Sequence, residues 1–314
     1  MKYITAKGQR LSRFCLGTVQ LGMEYGLGVH KEKPSREAAF SILDQAMALG
    51  INTLDTANNY GDSEAIIGAW LAQRKAESKP LPQIVTKIGP MKQGAYRNLR
   101  DAVLYQTEAC RKTLGVDTID YLMLHNFEDY EENRDSMQTL FRELKEQGFC
   151  HYSALSAYSR HDYSLIADSG FDAVQIPINI FDWTQLKNGG LQKIADAGMM
   201  IFARSVFLQG LVFQTPETLD PRMDFCLPYL QEFHSLCREF ELPAPVLALS
   251  FVLSLPGVTQ VVLGCDTADQ VAQNCALFDK IVPLTETQFA QLRKAFCKID
   301  PKVTDPGRWF NAGR

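Results

Sequence analysis

The sequence predicts a (β/α)8 barrel, a closed parallel sheet ringed by helices. Three observations carry that expectation. Short apolar runs alternate with longer helical patterns along the whole chain, which is how parallel strands joined by crossover helices read. Eight such units occur, the number that closes a barrel. The rival, an open doubly wound sheet, carries G-x-G-x-x-G after its first strand, and here that place reads GTVQLG. The 314 residues also fit, since barrels of this kind take about 250 residues plus insertions.

The strands are expected at 14–16, 51–54, 84–87, 121–124, 152–155, 173–176, 200–203 and 261–263. The run MMIF at 199–202 is apolar throughout, as in a strand buried on both faces. The first helix follows Ser35 as N-cap, has Phe40, Leu43 and Met47 on one face, and stops at Gly50. Further helices are expected at 63–71, 98–114 and 136–147, near 159–168 and 184–197, then at 228–240, 244–254, 268–276 and 286–296. A longer connection spans 206–226. Before the first barrel strand, MKYIT and LSRFCL flank Lys7-Gly8 and predict a short hairpin. Such a hairpin would plug the bottom of the barrel. The tail DPGRWFNAGR reads either as a docked lid or as a frayed end. No linker rich in Pro, Gly or Ser interrupts the pattern, so one domain over 1–314 is expected.

Composition excludes several partner classes. Hydrophobic residues make up 46% of the chain against 22% charged, enough for a large core. A net charge of −4 without a basic run argues against nucleic acid. No stretch approaches the ~18 apolar residues of a membrane span. The polar start MKYITAKGQRLSRF lacks the apolar core of a signal peptide, so a cytoplasmic location is expected. The eight cysteines form no C-x-x-C pair and read as reduced, mostly buried thiols. The five histidines are scattered, and no metal site is expected. The sequence is silent on oligomeric state.

Chemistry on this fold sits where strands end and βα loops begin. Four proton-handling residues occupy such places in successive units: Asp55 in LDTANNYG, Tyr60 in the loop that follows, Lys87 in IVTK and His125 in YLMLH. Together they suit proton transfer to a carbonyl oxygen. A free tyrosine titrates near pH ~10, and a nearby ammonium favours its phenolate. A carboxylate would hold the ammonium, and a histidine could donate to the substrate oxygen. Taken singly, each has a plainer reading: a solvated lysine, a turn aspartate, a core histidine, a packing tyrosine.

Those same residues resemble the aldo-keto reductases. The likeness runs through roughly residues 11–297, in LGTVQLG at 16–22, INTLDTANNYGDSEAIIG at 51–68, TK at 86–87 and DYLMLHN at 120–126. It implies an NAD(P)-dependent oxidoreductase acting on an aldehyde or ketone, or on the corresponding alcohol or sugar. Asp55, Tyr60, Lys87 and His125 would form its catalytic tetrad, with Tyr60 as general acid, while the cofactor delivers the hydride.

The resemblance also implies a cofactor site, with departures. Ser156 and Gln175 would hold the nicotinamide amide, but Ala157 stands where the family has Asn. Arg204 stands where an aromatic ring stacks on nicotinamide, and Ser205 follows it; a planar guanidinium can also stack. Gly17, Thr18 and Asp55 complete that end. Backbone groups from Phe207 to Gly210, Gln209 among them, would face the pyrophosphate, with Gly210 permitting close approach. Gly264, Asp266 and Gln270 would lie near the ribose, with Gln273 and Asn274 on adenine. Relatives that prefer NADP carry basic residues around this loop, whereas Asp266 would repel a 2′-phosphate. NAD or NADP is therefore expected, with NAD favoured. The plainer alternative has Asp266 capping the helix that follows. The substrate is expected to be a small aromatic or sugar-like carbonyl compound, bounded by Val19, Met23, Tyr25, Phe127, Trp183, Phe207 and the tail near Trp309. The rival reading, resting on Ala157 and Arg204, is a weak or inactive NAD(P)H-binding barrel that acts as a sensor or partner subunit.

Overall fold

The computed structural model describes residues 1–25, 32–92 and 94–309. A two-stranded antiparallel hairpin, β1 (Tyr3–Ala6) and β2 (Gln9–Ser12), precedes eight parallel strands. These are β3 (Phe14–Gly17), β4 (Thr53–Asp55), β5 (Gln83–Ile88), β6 (Ile119–Leu124), β7 (Cys150–Ser156), β8 (Ala173–Pro177), β9 (Met200–Arg204) and β10 (Val258–Gly264). They pair in chain order, and β10 closes the ring on β3. All eight expected barrel strands are present. Ile51 and Asn52 fall outside β4 because the chain is still leaving the preceding helix. Gly50 adopts φ +84°, and the Ile51 amide bonds back to the Ala46 carbonyl at 2.9 Å.

The hairpin turns at Lys7 and Gly8, both with positive φ, as a two-residue turn between twisted strands requires. It closes one end of the barrel. Leu11 joins Val85, Tyr121, Met123, Ala154 and Phe202 in the interior cluster. The Tyr152 hydroxyl bonds the Lys7 carbonyl at 3.1 Å, and Asp172 takes both Lys7 and Lys145. The end opposite the hairpin, where the strands finish, is left for chemistry. A larger cluster between the strands and the surrounding helices forms the main core.

The helices depart from expectation where punctuation is local. The segment 184–197 splits into Thr184–Lys187 and Gly190–Asp196 at Gly189, which has φ 72°. The segment 159–168 is helical only over Tyr163–Ala167, capped by Asp162. A short acidic helix, Phe127–Glu132, opens the connection after β6. The 206–226 connection contains 3-10 turns at Leu208–Phe213 and Pro221–Cys226. The tail docks as far as Trp309, which is buried and donates its indole N–H to the Lys302 and Val303 carbonyls. Phe310 and the residues after it lie outside the described residues. Seven cysteines are buried and Cys297 is partly so. Among the described residues, no helix is long and apolar enough to cross a membrane.

Two glycines bring the β3 and β4 loops together. A Cβ on Gly22 would lie 1.8 Å from the Tyr60 carbonyl oxygen, and one on Gly61 would lie 2.3 Å from the Gly22 oxygen. The Ser63 hydroxyl ties the same contact to Thr18, at 3.0 Å from its carbonyl and 2.9 Å from its hydroxyl. Gly22→Ala should therefore destabilise the protein by about 1–3 kcal/mol, as overpacking does. It should also speed hydrogen exchange at the Asp62 and Ser63 amides, whereas Gly8→Ala, which faces open space, should leave those amides unchanged.

Candidate active site

Asp55 is the last residue of β4, and Lys87 is the penultimate residue of β5. Strand register sets Asp55 beside Val85, so the two side chains reach into the barrel one step apart. Lys87 is fully buried. Its Nζ lies 2.8 Å from both Asp55 carboxylate oxygens, 2.9 Å from the Thr56 carbonyl and 3.4 Å from the Tyr60 hydroxyl. Asp55 Oδ1 also accepts from Gln175 Nε2 at 2.7 Å. Burial works against the ammonium, but Asp55 and Tyr60 outweigh it, and Lys87 holds its proton above the ordinary lysine range.

Tyr60 meets His125 edge to face, with ring centres 5.8 Å apart. His125 follows β6, and its amide bonds the Ile88 carbonyl at 2.8 Å. Its Nδ1 is buried without a hydrogen-bond partner. Burial, then the Lys87 and Arg204 charges, push its pKa down to about 3. The imidazole is therefore neutral at neutral pH. Pairing between loops fixes this corner. Gln106 Oε1 accepts from Asn58 Nδ2 at 2.8 Å and from the Gly89 amide at 2.7 Å.

Tyr60 and Asp55 open onto a cleft of about 560 Å³. Its wall includes Gly17, Thr18, Gln175, Arg204, Ser205, Phe207, Gln209 and Gly210, then Gly264, Asp266, Gln270, Gln273 and Asn274. Ser156 ends β7 beside Gln175 and, like Lys87 and His125, is not part of the cleft lining. Ser205, Leu208, Gln209 and Gly210 all adopt positive φ. Such a run turns backbone amides toward a common concavity that suits anionic oxygens. Arg204 is the one cation on this wall among the described residues. Its Nη2 donates to the Ala157 carbonyl at 3.4 Å.

The helix after β10, Ala268–Asp279, is capped by Thr267 and not by Asp266. The Thr267 hydroxyl accepts from the Gln270 amide at 3.1 Å, while the Asp266 amide donates to Gln270 Oε1 at 2.7 Å. The expected rim also needs correction. Val19, Tyr25 and Phe207 line the cleft, but Met23, Phe127, Trp183 and Trp309 do not. Trp183 is buried against Phe251 and Phe289, and Phe127 stacks on His161. Sequence reasoning missed Gln20, Phe213, Pro245 and Leu277, which also line the wall. Gln20 fits against Gly264, where a Cβ would come 2.1 Å from its amide nitrogen. Gln106 was legible only as a polar residue on the buried face that carries Ala102, Val103 and Cys110.

The His125 environment has a consequence for acid stability. An unfolded histidine takes its proton near pH ~6.5, while folded His125 does so only near pH about 3. Between those values the unfolded state binds more protons, so stability falls as pH drops. From pH 6 to pH 4, wild type should lose up to roughly 1.4 kcal/mol per pH unit more than His125→Gln. Denaturant unfolding at several pH values checks this, and parallel curves for the two proteins would contradict it.

Comparison with known proteins agrees with this architecture. The sequence model of the aldo/keto reductase family matches residues 13–296. YqkF, an uncharacterized oxidoreductase of Bacillus subtilis, is 27% identical over 274 residues, covering 82% of this chain and 88% of that protein. The NADH-specific methylglyoxal reductase of Escherichia coli is 24% identical over 298 residues, covering 85% and 89%. The holo form of an aldo-keto reductase from Bacillus halodurans shares the fold with a TM-score of 0.74 at 21% identity, over 97% of this chain and 100% of that one. Glycerol dehydrogenase from Gluconobacter oxydans does so with a TM-score of 0.73 at 22% identity, over 97% and 98%. With a family match that runs from β3 to the helix Glu286–Phe296, the chain belongs to the aldo/keto reductase family.

Proposed function

We propose that the protein is a carbonyl reductase that acts on small aldehydes or ketones, with Tyr60 as proton donor and a nicotinamide dinucleotide in the cleft. The observation that carries this reading is the buried Lys87 ammonium, held by both Asp55 oxygens and by the Tyr60 hydroxyl. Its permanent charge stabilises the phenolate left when Tyr60 gives its proton to the substrate oxygen. Asp55 keeps the ammonium in place, and Gln175 keeps Asp55 in place. His125 contributes as a neutral donor. An orphaned buried N–H is costlier than an orphaned lone pair, so the partnerless Nδ1 favours the tautomer with its proton on Nε2.

The cleft fits a dinucleotide in size, since small-molecule sites run to ~300–1,000 Å³. Residues Ser205 to Gly210 would hold the pyrophosphate, and Gln273 and Asn274 the adenine. The bound dinucleotide would supply the hydride to the carbonyl carbon. Ala157 and Arg204, which depart from the family pattern, favour a second reading, a barrel that binds dinucleotide without turnover.

Tyr60→Phe should reduce carbonyl turnover by ~10²–10⁴-fold, the usual worth of a general acid, with dinucleotide affinity preserved. Steady-state rates with a reactive aldehyde, beside a binding titration, separate the readings. Retained turnover would assign the proton elsewhere. Binding without turnover in wild type would favour the sensor.

NADH should bind at least as tightly as NADPH. Among the described residues of the cleft wall, the stretch from Gly264 to Asn274 contributes the Asp266 carboxylate and no basic side chain, so a 2′-phosphate would meet negative charge there, and solvent softens such repulsion without reversing it. The Escherichia coli relative is by its name NADH-specific, which agrees. Fluorescence titration decides the matter. NADPH binding ten or more times tighter, ~1.4 kcal/mol, would refute this assignment. Asp266→Arg should move the preference toward NADPH.

A further inference from the structure

The cleft wall carries one positive charge that the proton-transfer machinery leaves uncompensated. Two guanidinium groups, Arg160 and Arg204, each lie 4.5 Å from the centre of the Tyr158 ring. Arg160 is matched by Glu128, with Nη2 2.8 Å from Oε1. Arg204 has no carboxylate within ion-pair distance among the described residues, and its hydrogen bond to the Ala157 carbonyl is long. Of the two, Arg204 is the one on the cleft wall, with Tyr25 and Tyr60.

The acids near this end are already engaged. Asp55 accepts from Lys87 and Gln175, so it does not offset Arg204. Lys87 is buried and matched, which leaves a single positive charge facing the open space. A partly buried cation without a counter-ion is costly, and an anionic ligand removes that cost. Tyr158 also orients the group. It supports one face of the guanidinium, and a planar fork held this way presents its edge donors to a carboxylate. One fork with one charge matches a carboxylate better than a phosphate dianion, which would call for a second free cation.

Resting on the carbonyl reduction proposed above, we infer that Arg204 binds a carboxylate on the substrate, so that the preferred substrates are carbonyl compounds that also carry a carboxylate. The carboxylate makes and breaks no bond. It orients the molecule, while the carbonyl carbon gains a hydride, the oxygen gains the Tyr60 proton, and the product is the hydroxy acid. The Arg204 charge already reaches the reacting end, where it helps to keep His125 neutral. With Lys87 and Asp55 cancelling, Arg204 is the charge that an anionic substrate would meet at this end of the cleft.

The test compares 4-carboxybenzaldehyde with its neutral counterpart methyl 4-formylbenzoate. Wild type should favour the carboxylate at least tenfold in kcat/KM. Arg204→Met should erase that preference through KM, whatever loss the two aldehydes share. Arg204→Lys should restore part of it, since lysine supplies the charge without the fork. Dinucleotide affinity, titrated for each variant, reports both folding and any role of Arg204 toward the cofactor. Equal use of the two aldehydes by wild type would overturn the inference. So would Arg204→Met lowering both alike while weakening dinucleotide binding. If neither aldehyde is turned over, the reductase reading fails on its own account. Calorimetric titration of 4-methylbenzoate then decides the role of Arg204: binding at least tenfold weaker in Arg204→Met supports it, and equal binding overturns it.

Discussion

A buried ammonium organises this site. Lys87 has lost its water, and such a charge persists inside a protein only with an opposite charge and filled hydrogen-bond positions. Asp55 supplies the charge through both oxygens, and the Thr56 carbonyl and Tyr60 hydroxyl fill the remaining directions. These partners come from β4 and the loop after it, so the pair works only if β4 and β5 lie side by side in one register. Removing either partner would leave the other buried and unmatched, at a cost of ~3–5 kcal/mol. Stability and reactivity thus bear on the same few atoms.

The supports around the pair follow from that constraint. Tyr60 must approach from a loop, and loops are where position is most easily lost. Gly22 and Gly61 let two backbones touch behind it, and Gln106 fastens Asn58 and Gly89. Each of these is a neutral, shape-dependent contact. None carries a titratable group, so none competes with Lys87 for Asp55.

The barrel and the convergence of Asp55, Tyr60, Lys87 and His125 were legible because their signals are local. Apolar runs mark strands buried on both faces, and a charged residue ending such a run, as Lys87 does in IVTK, stands out against it. The hairpin was legible from Lys7-Gly8. The helix splits were not, because a glycine such as Gly189 breaks a pattern without announcing where the chain resumes. The rim was the weakest reading. An aromatic residue beside a loop suits a pocket wall and a core equally well, and Trp183 went to the core because Phe251 and Phe289 meet it from helices distant in sequence. Leu277 and Pro245 reach the cleft only through tertiary packing, which no spacing rule anticipates. The Asp266 reading failed in its plainer form for a simple reason: Thr267, one residue on, has the extended backbone that a cap needs.

Charge balance links the legible part of the site to the rest. Lys87 and Asp55 cancel, and Arg204 adds a second cation, the one on the cleft wall among the described residues. A protonated His125 would make a third. Burial and those two cations prevent it, holding the histidine far below its ordinary titration range. The neutral imidazole keeps hydrogen-bonding capacity in this corner without adding a positive charge to it. Arg204 therefore does more than line the cleft. Its charge makes the neutrality of His125 more secure than burial alone would.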